Sequence, residues 1–197
     1  MKTGTFYGIG IGPGDPELLT VKAVSLLARC RHVFVPKARI AADSVALEIA
    51  RRHLKADAEV HELIFPMTTD QAELTRCWNE SAAQIATVLE NGDDACFLTL
   101  GDPMLYSTYI YLLRALKARL PALEAITIPG ITSFCAAAAL TNFPIGEGKQ
   151  PLTIVPTADD LASVRRAIDG GGTIVLMKIA DRLPEILDLL EQNGLMD

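Results

Sequence analysis

The sequence predicts an α/β protein with mainly parallel sheets, and three observations carry that prediction. Short apolar strand-like runs alternate with amphipathic helical stretches along the chain, as parallel strands joined by crossover helices require. Runs such as Phe6 to Ile11, Ala95 to Leu100 and Thr173 to Met177 are apolar nearly throughout, as strands covered on both faces are. Turns rich in glycine and proline follow several of these runs, and in such folds ligands bind beyond the carboxyl ends of strands.

The elements follow in order. Phe6 to Ile11 is a buried strand closed by glycines. Glu17 to Cys30 has the apolar spacing of a helix, with Asp15-Pro16-Glu17 as its start signal. His32 to Val35 is a short strand stopped by Pro36. Asp43 to Leu54 is a helix capped by Asp43 or Ser44, and Val60 to Phe65 a strand. A long helix runs from Asp70 to Glu90 and ends at Asn91-Gly92. Ala95 to Leu100 is a strand followed by Gly101-Asp102-Pro103, and Tyr106 to Arg119 a helix ended before Pro121. Strands at Ile126 to Ile128, Leu152 to Val155 and Thr173 to Met177 then alternate with helices at Thr132 to Leu140, Asp159 to Ile168 and Arg182 to Gln192.

Composition narrows the function. With 24 acidic against 18 basic residues, the net charge of -6 opposes a surface devoted to nucleic acid. The four cysteines form no CxxC pair, and a buried structural thiol is the plain reading for them. His32, His53 and His61 form no helical HxxxH pair and no Cys/His cluster, so no metal site is expected. No apolar run reaches the roughly 18 residues of a membrane span, and no signal segment is evident at the N-terminus, so a cytoplasmic protein is expected.

Three loops could carry chemistry. Gly8-Ile9-Gly10-Ile11-Gly12-Pro13-Gly14-Asp15-Pro16 lets a ligand approach bare backbone. It is not a dinucleotide fingerprint: GxGxxG fails at Asp15 or Pro13, and no acid follows at the ribose-binding distance. The second, Thr99 to Thr108, sets Asp102 between Gly101 and Pro103, where it either accepts hydrogen bonds from a ligand or caps the next helix. The third, Pro129 to Phe134, offers the hydroxyls of Thr132 and Ser133, which by themselves read as helix caps.

Taken together, GIGPGDPELLT, LGDPMLYST and PGITSF resemble, in this order and spacing, the tetrapyrrole (corrin/porphyrin) methylases. The resemblance covers the chain from Tyr7 to its end. It implies a two-domain fold, an N-terminal α/β domain over 1-120 and a C-terminal one over 121-197, with a cofactor cleft between them. The second domain is expected to be incomplete, since members of the family run longer. The implied cofactor is S-adenosyl-L-methionine, leaving as S-adenosyl-L-homocysteine. The implied substrate is a tetrapyrrole, precorrin-2 or cobalt-factor II, methylated at C(20) in cobalamin biosynthesis. Another ring position or uroporphyrinogen III is the alternative; a nucleotide-dependent oxidoreductase and a non-catalytic binding module remain further ones.

The same resemblance implies that Pro13, Leu100, Gly101, Asp102, Leu105, Thr132 and Ser133 bind the cofactor, with Met177 and Lys178 at the adenine. Lys37 and Arg39 are the cations placed to meet substrate carboxylates, and Tyr106 and Tyr109 could flank the macrocycle. No catalytic base is named, because the cofactor is already activated and alignment is the protein's task. A homodimer is also implied.

Overall fold

A computed structural model describes residues 3–37, 44–156 and 160–196. Seven strands and seven α-helices alternate among them as the sequence predicts. The chain divides into two compact units, Met1–Ala136 and Ala137–Asp197.

The first unit holds β1 (Phe6–Gly10), α1 (Val21–Leu27), β2 (His32–Lys37), α2 (Val45–Ala50), β3 (Glu59–Ile64), α3 (Gln71–Glu90), β4 (Ala95–Thr99), α4 (Tyr109–Arg119) and β5 (Ala125–Ile128). The five strands form one parallel sheet in the order β3-β2-β4-β1-β5. The returning strand β4 is inserted between β1 and β2, which makes it central. That explains its composition: Ala95, Cys96, Phe97 and Leu98 are all buried, because both of its faces are covered.

Alternate side chains feed two cores. On one face Ile9, Val33, Val35, Cys96 and Leu98 pack with Leu26 and Leu27 of α1 and Ile49 of α2. On the other, Phe6, Phe34 and Phe97 pack with Ile85 and Leu89 of α3 and Leu112 and Leu116 of α4. Cys30, Cys77 and Cys96 are buried free thiols, and Cys135 is exposed.

Two helices start later than their sequence periodicity suggests. Asp15 does cap, accepting from the Glu17 amide at 2.8 Å, but only a single 3-10 turn, Pro16–Leu18. The chain then extends through Leu19, and Thr20 caps α1 by accepting from Ala23 at 3.1 Å. The helix expected from Tyr106 begins at Tyr109, because Tyr106 has φ +49°, which no right-handed helix admits.

α5 (Ser133–Thr141) crosses the division between the units. That division falls later than the 120/121 position read from the sequence, since β5 completes the first sheet by pairing with β1. The second unit contains β6 (Leu152–Pro156), α6 (Leu161–Gly170), β7 (Thr173–Met177) and α7 (Leu183–Gln192). Its two strands pair in parallel, and Val164, Ile186 and Leu189 form its small core. Among the described residues no helix is long and apolar enough to cross a membrane.

Candidate active site

The three glycine-bearing loops follow β1, β4 and β5, which are adjacent strands, so the sheet order brings them to one place. They meet backbone to backbone. The Gly101 amide donates to the Gly12 carbonyl at 2.7 Å, and the Ile11 amide donates to the Thr99 carbonyl at 3.0 Å. A methyl group on Gly10 would stand 2.6 Å from both the Gly101 oxygen and the Gly130 nitrogen. One on Gly130 would stand 2.1 Å from the Gly101 oxygen. Neither glycine has a positive φ, so space alone demands glycine there. Gly101 and Gly12 need it for conformation as well, at φ +65° and +77°.

Asp102 fastens this junction. Its Oδ1 accepts from the Met104 amide at 2.8 Å, and its Oδ2 accepts from Gly130 of the third loop at 3.1 Å. It thus closes a turn and ties loop to loop, and does not cap the next helix, which begins only at Tyr109 behind Thr108. Beneath it, the hydroxyls of Thr99 and Ser107 lie 2.8 Å apart in a buried pair, and Ser107 accepts from the Tyr109 amide at 3.1 Å. These two residues and the Gly10–Gly130 contact are structural parts that the site reading from sequence did not single out. Ser107 and Gly130 stand in the ST and PG of the quoted motifs, whereas Thr99 lies just before the second motif.

Thr132 is the most telling residue. Its carbonyl accepts from Ala136 and starts α5, yet its Oγ1 is buried and has no hydrogen-bond partner. The capping reading of that hydroxyl is therefore not what the structure contains. A buried hydroxyl without a partner costs free energy, so an unfilled role is the natural account of it. Ser133, next to it, is exposed, and Pro13 and Leu105 are half-buried. Leu100, Met104 and Tyr106 present exposed apolar surface along the second loop. Tyr106 also carries the backbone strain of its positive φ, a feature that gathers at ligand sites.

The other expected residues sit as follows. Tyr109 is wholly buried, stacked with Phe6 and Phe97 at centroid distances of 6.0 and 6.3 Å. Its ring fills the space that Gly8 leaves vacant, and its hydroxyl meets Thr127 at 2.7 Å. Burial raises its phenol pKa, partly offset by that hydrogen bond. This corrects the expectation that Tyr109 flanks a macrocycle: it has no surface left to offer. Lys37, at the end of β2, is 11% exposed and ion-paired to Glu62 at 2.8 Å. Arg39 lies outside the described residues. Met177 and Lys178 belong to the second unit, at the carboxyl end of β7, where Lys178 has φ +58°.

At the opposite ends of the strands, three side chains meet that sequence spacing did not connect. His32 Nδ1 lies 3.3 Å from His61 Nε2 and 3.4 Å from Glu59 Oε2.

The chain is thus an α/β protein whose parallel strands end in contiguous glycine loops, at the carboxyl edge where such folds place their ligands. Comparison with known proteins makes the class specific. The family model of the tetrapyrrole (corrin/porphyrin) methylases matches residues 5–197. A cobalt-precorrin-2 C(20)-methyltransferase of Salmonella typhimurium is 38% identical over 195 residues, covering 98% of this chain and 81% of that protein. A Methanocaldococcus jannaschii protein named "Probable cobalt-precorrin-2 C(20)-methyltransferase" is 37% identical over 172 residues, 87% of this chain and 71% of its own. The solved structure of a cobalt precorrin-4 methyltransferase superposes with a TM-score of 0.72 at 22% identity, covering 98% of this chain and 76% of that one, and bears on fold alone. The chain belongs to the tetrapyrrole methylases.

Proposed function

We propose that this chain transfers a methyl group from S-adenosyl-L-methionine to C(20) of a precorrin-2-type tetrapyrrole, in its cobalt-containing form, during cobalamin biosynthesis. The observation that carries the reading is the partnerless Thr132 hydroxyl beside the Gly10–Gly101–Gly130 junction. That arrangement suits a polar, extended ligand lying on backbone, and both similar relatives are named for C(20) methylation of cobalt-precorrin-2.

In this proposal Pro13, Leu100, Gly101, Leu105, Thr132 and Ser133, all of the first unit, hold the cofactor. Asp102 acts mainly by keeping the second and third loops together, since both of its oxygens already accept from amides. The cofactor, when bound, supplies an activated methyl group on a sulfonium. The chain's own residues fix its position, present the exposed apolar surface of Leu100, Met104 and Tyr106 to the ring, and keep water away. Lys37 meets substrate carboxylates only by sharing its charge with Glu62. A cytoplasmic homodimer is part of the same proposal.

The test is transfer from labelled S-adenosyl-L-methionine to cobalt-factor II, metal-free precorrin-2 and uroporphyrinogen III in parallel. Label in the cobalt substrate, located at C(20), supports the reading. Label in precorrin-2 alone moves it to the metal-free ring. Label only in uroporphyrinogen III, or at another carbon, overturns the ring assignment and keeps the family.

A further inference from the structure

The amino-terminal ends of β2 and β3 carry a cluster that methyl transfer does not use. His32 and Glu59 are the first residues of these strands and register partners, and His61 lies two residues on, sharing Glu59's face. One nitrogen or oxygen from each of the three falls within 4.8 Å of the others. We propose that His32, Glu59 and His61 bind a divalent first-row transition metal ion, with zinc as the ion of best fit.

The spacing carries the assignment. A zinc ion about 2.0–2.1 Å from nitrogen or oxygen donors, at tetrahedral angles, sets those donors about 3.3–3.4 Å apart. The His32 Nδ1 separations, 3.3 Å to His61 and 3.4 Å to Glu59, are those edge lengths. Two imidazoles and a carboxylate are also a donor set that suits zinc, with the fourth position left to water.

The surroundings hold each donor in place. His32 Nε2 lies 3.8 Å from Asp93 Oδ2, too far for a hydrogen bond but near enough for the carboxylate's negative charge to favour a cation on the ring. Arg31 donates to Glu59 Oε1 through both Nε and Nη2, at 3.1 and 2.5 Å, which leaves Oε2 for the ion. The His61 ring stacks on Phe34 at 4.6 Å. Glu59 is 44% exposed, so the site opens to solvent and an ion can enter. Because the cluster lies at the opposite strand ends from the glycine loops, the ion acts as a clasp between the edge strand β3 and β2, apart from catalysis.

The experiment uses the full chain, stripped with a chelator, titrated calorimetrically with Zn²⁺ and examined by visible absorption after loading with Co²⁺. The expected result is one equivalent of zinc and the intense Co²⁺ bands of a four-coordinate site. His61→Ala and Glu59→Gln, which each remove a ligand, should weaken binding by more than the roughly 10- to 100-fold that loss of an outer hydrogen-bond partner costs a metal site. His53→Ala, which changes a histidine outside the cluster, should leave it unchanged. His61→Gln, together with a melt and S-adenosyl-L-homocysteine binding for every variant, separates loss of metal from loss of fold. The proposal is overturned if zinc binds no more tightly to the wild type than to His61→Gln and Glu59→Gln, or if His53→Ala abolishes binding.

Discussion

Replacing Thr132 by valine should move stability and ligand affinity in opposite directions. The Oγ1 of Thr132 is buried without a partner, and such an atom costs about 1–3 kcal/mol of desolvation that nothing returns. Valine keeps the branched shape and puts a methyl group where the hydroxyl stood. The ligand-free protein should therefore gain about 1 kcal/mol or more. If that hydroxyl bonds a charged part of the cofactor, its loss removes about 1.5–3 kcal/mol from binding. Affinity for S-adenosyl-L-homocysteine should fall about 10- to 100-fold, at 1.4 kcal/mol per decade. Urea unfolding of the ligand-free protein reads the first quantity and titration calorimetry the second, with Thr132→Ser as the variant that keeps the hydroxyl. A valine variant that is less stable without ligand, or that binds S-adenosyl-L-homocysteine as the wild type does, would refute the reasoning.

Four further outcomes are expected. Gly130→Ala places a methyl group 2.1 Å from the Gly101 oxygen and must part the three loops, costing about 1–3 kcal/mol in denaturant unfolding and abolishing detectable homocysteine-product binding. Gly146→Ala, with nothing within 4 Å of the added carbon, should stay within about 0.5 kcal/mol of the wild type in the same assay. Asp102→Asn turns one acceptor oxygen into a donor facing an amide, and should lower stability by about 1–2 kcal/mol while loosening cofactor binding, read by melting with and without S-adenosyl-L-homocysteine. Tyr109 carries a pH dependence: its folded pKa is raised, so the folded state favours the neutral phenol. Its stabilisation is complete below the ordinary phenol value of about 10 and is lost as pH rises through the folded one. Unfolding measured from pH 9 to 11 should show the wild type losing more stability than Tyr109→Phe, which lacks that group.

The parts of the site that were legible in the sequence are those where the backbone itself makes the contact. Glycines at 10, 101 and 130 and the prolines beside them announce close approach and fixed turns, whichever strands lie next to each other. The helix starts were less legible, because Asp15 and Thr20 both offer a good cap and only packing decides between a single turn and a helix. Tyr106 and Tyr109 look alike in sequence, yet one is exposed with a positive φ and the other fills the gap over Gly8. Side-chain pairs across strands were hidden altogether. Lys37 with Glu62, and His32 with Glu59 and His61, meet because of the β2–β3 register, which no spacing along the chain reveals.

The order of strands in the first sheet has a consequence for how the protein comes into being on the ribosome. β1 is made before every other strand of its sheet, yet both of its neighbours come much later: Phe6 pairs with Ala95 and Ala125. Until β4 emerges, the glycine loop after β1 has nothing to lean on, and the junction waits for Gly130 at the far end of β5. Such distant pairings close slowly, since the long intervening chain must first be organised. A nascent chain halted before residue 130 would thus hold β2, β3 and their helices without the Gly10–Gly101–Gly130 junction, and closure of that junction would mark the moment the first sheet is complete.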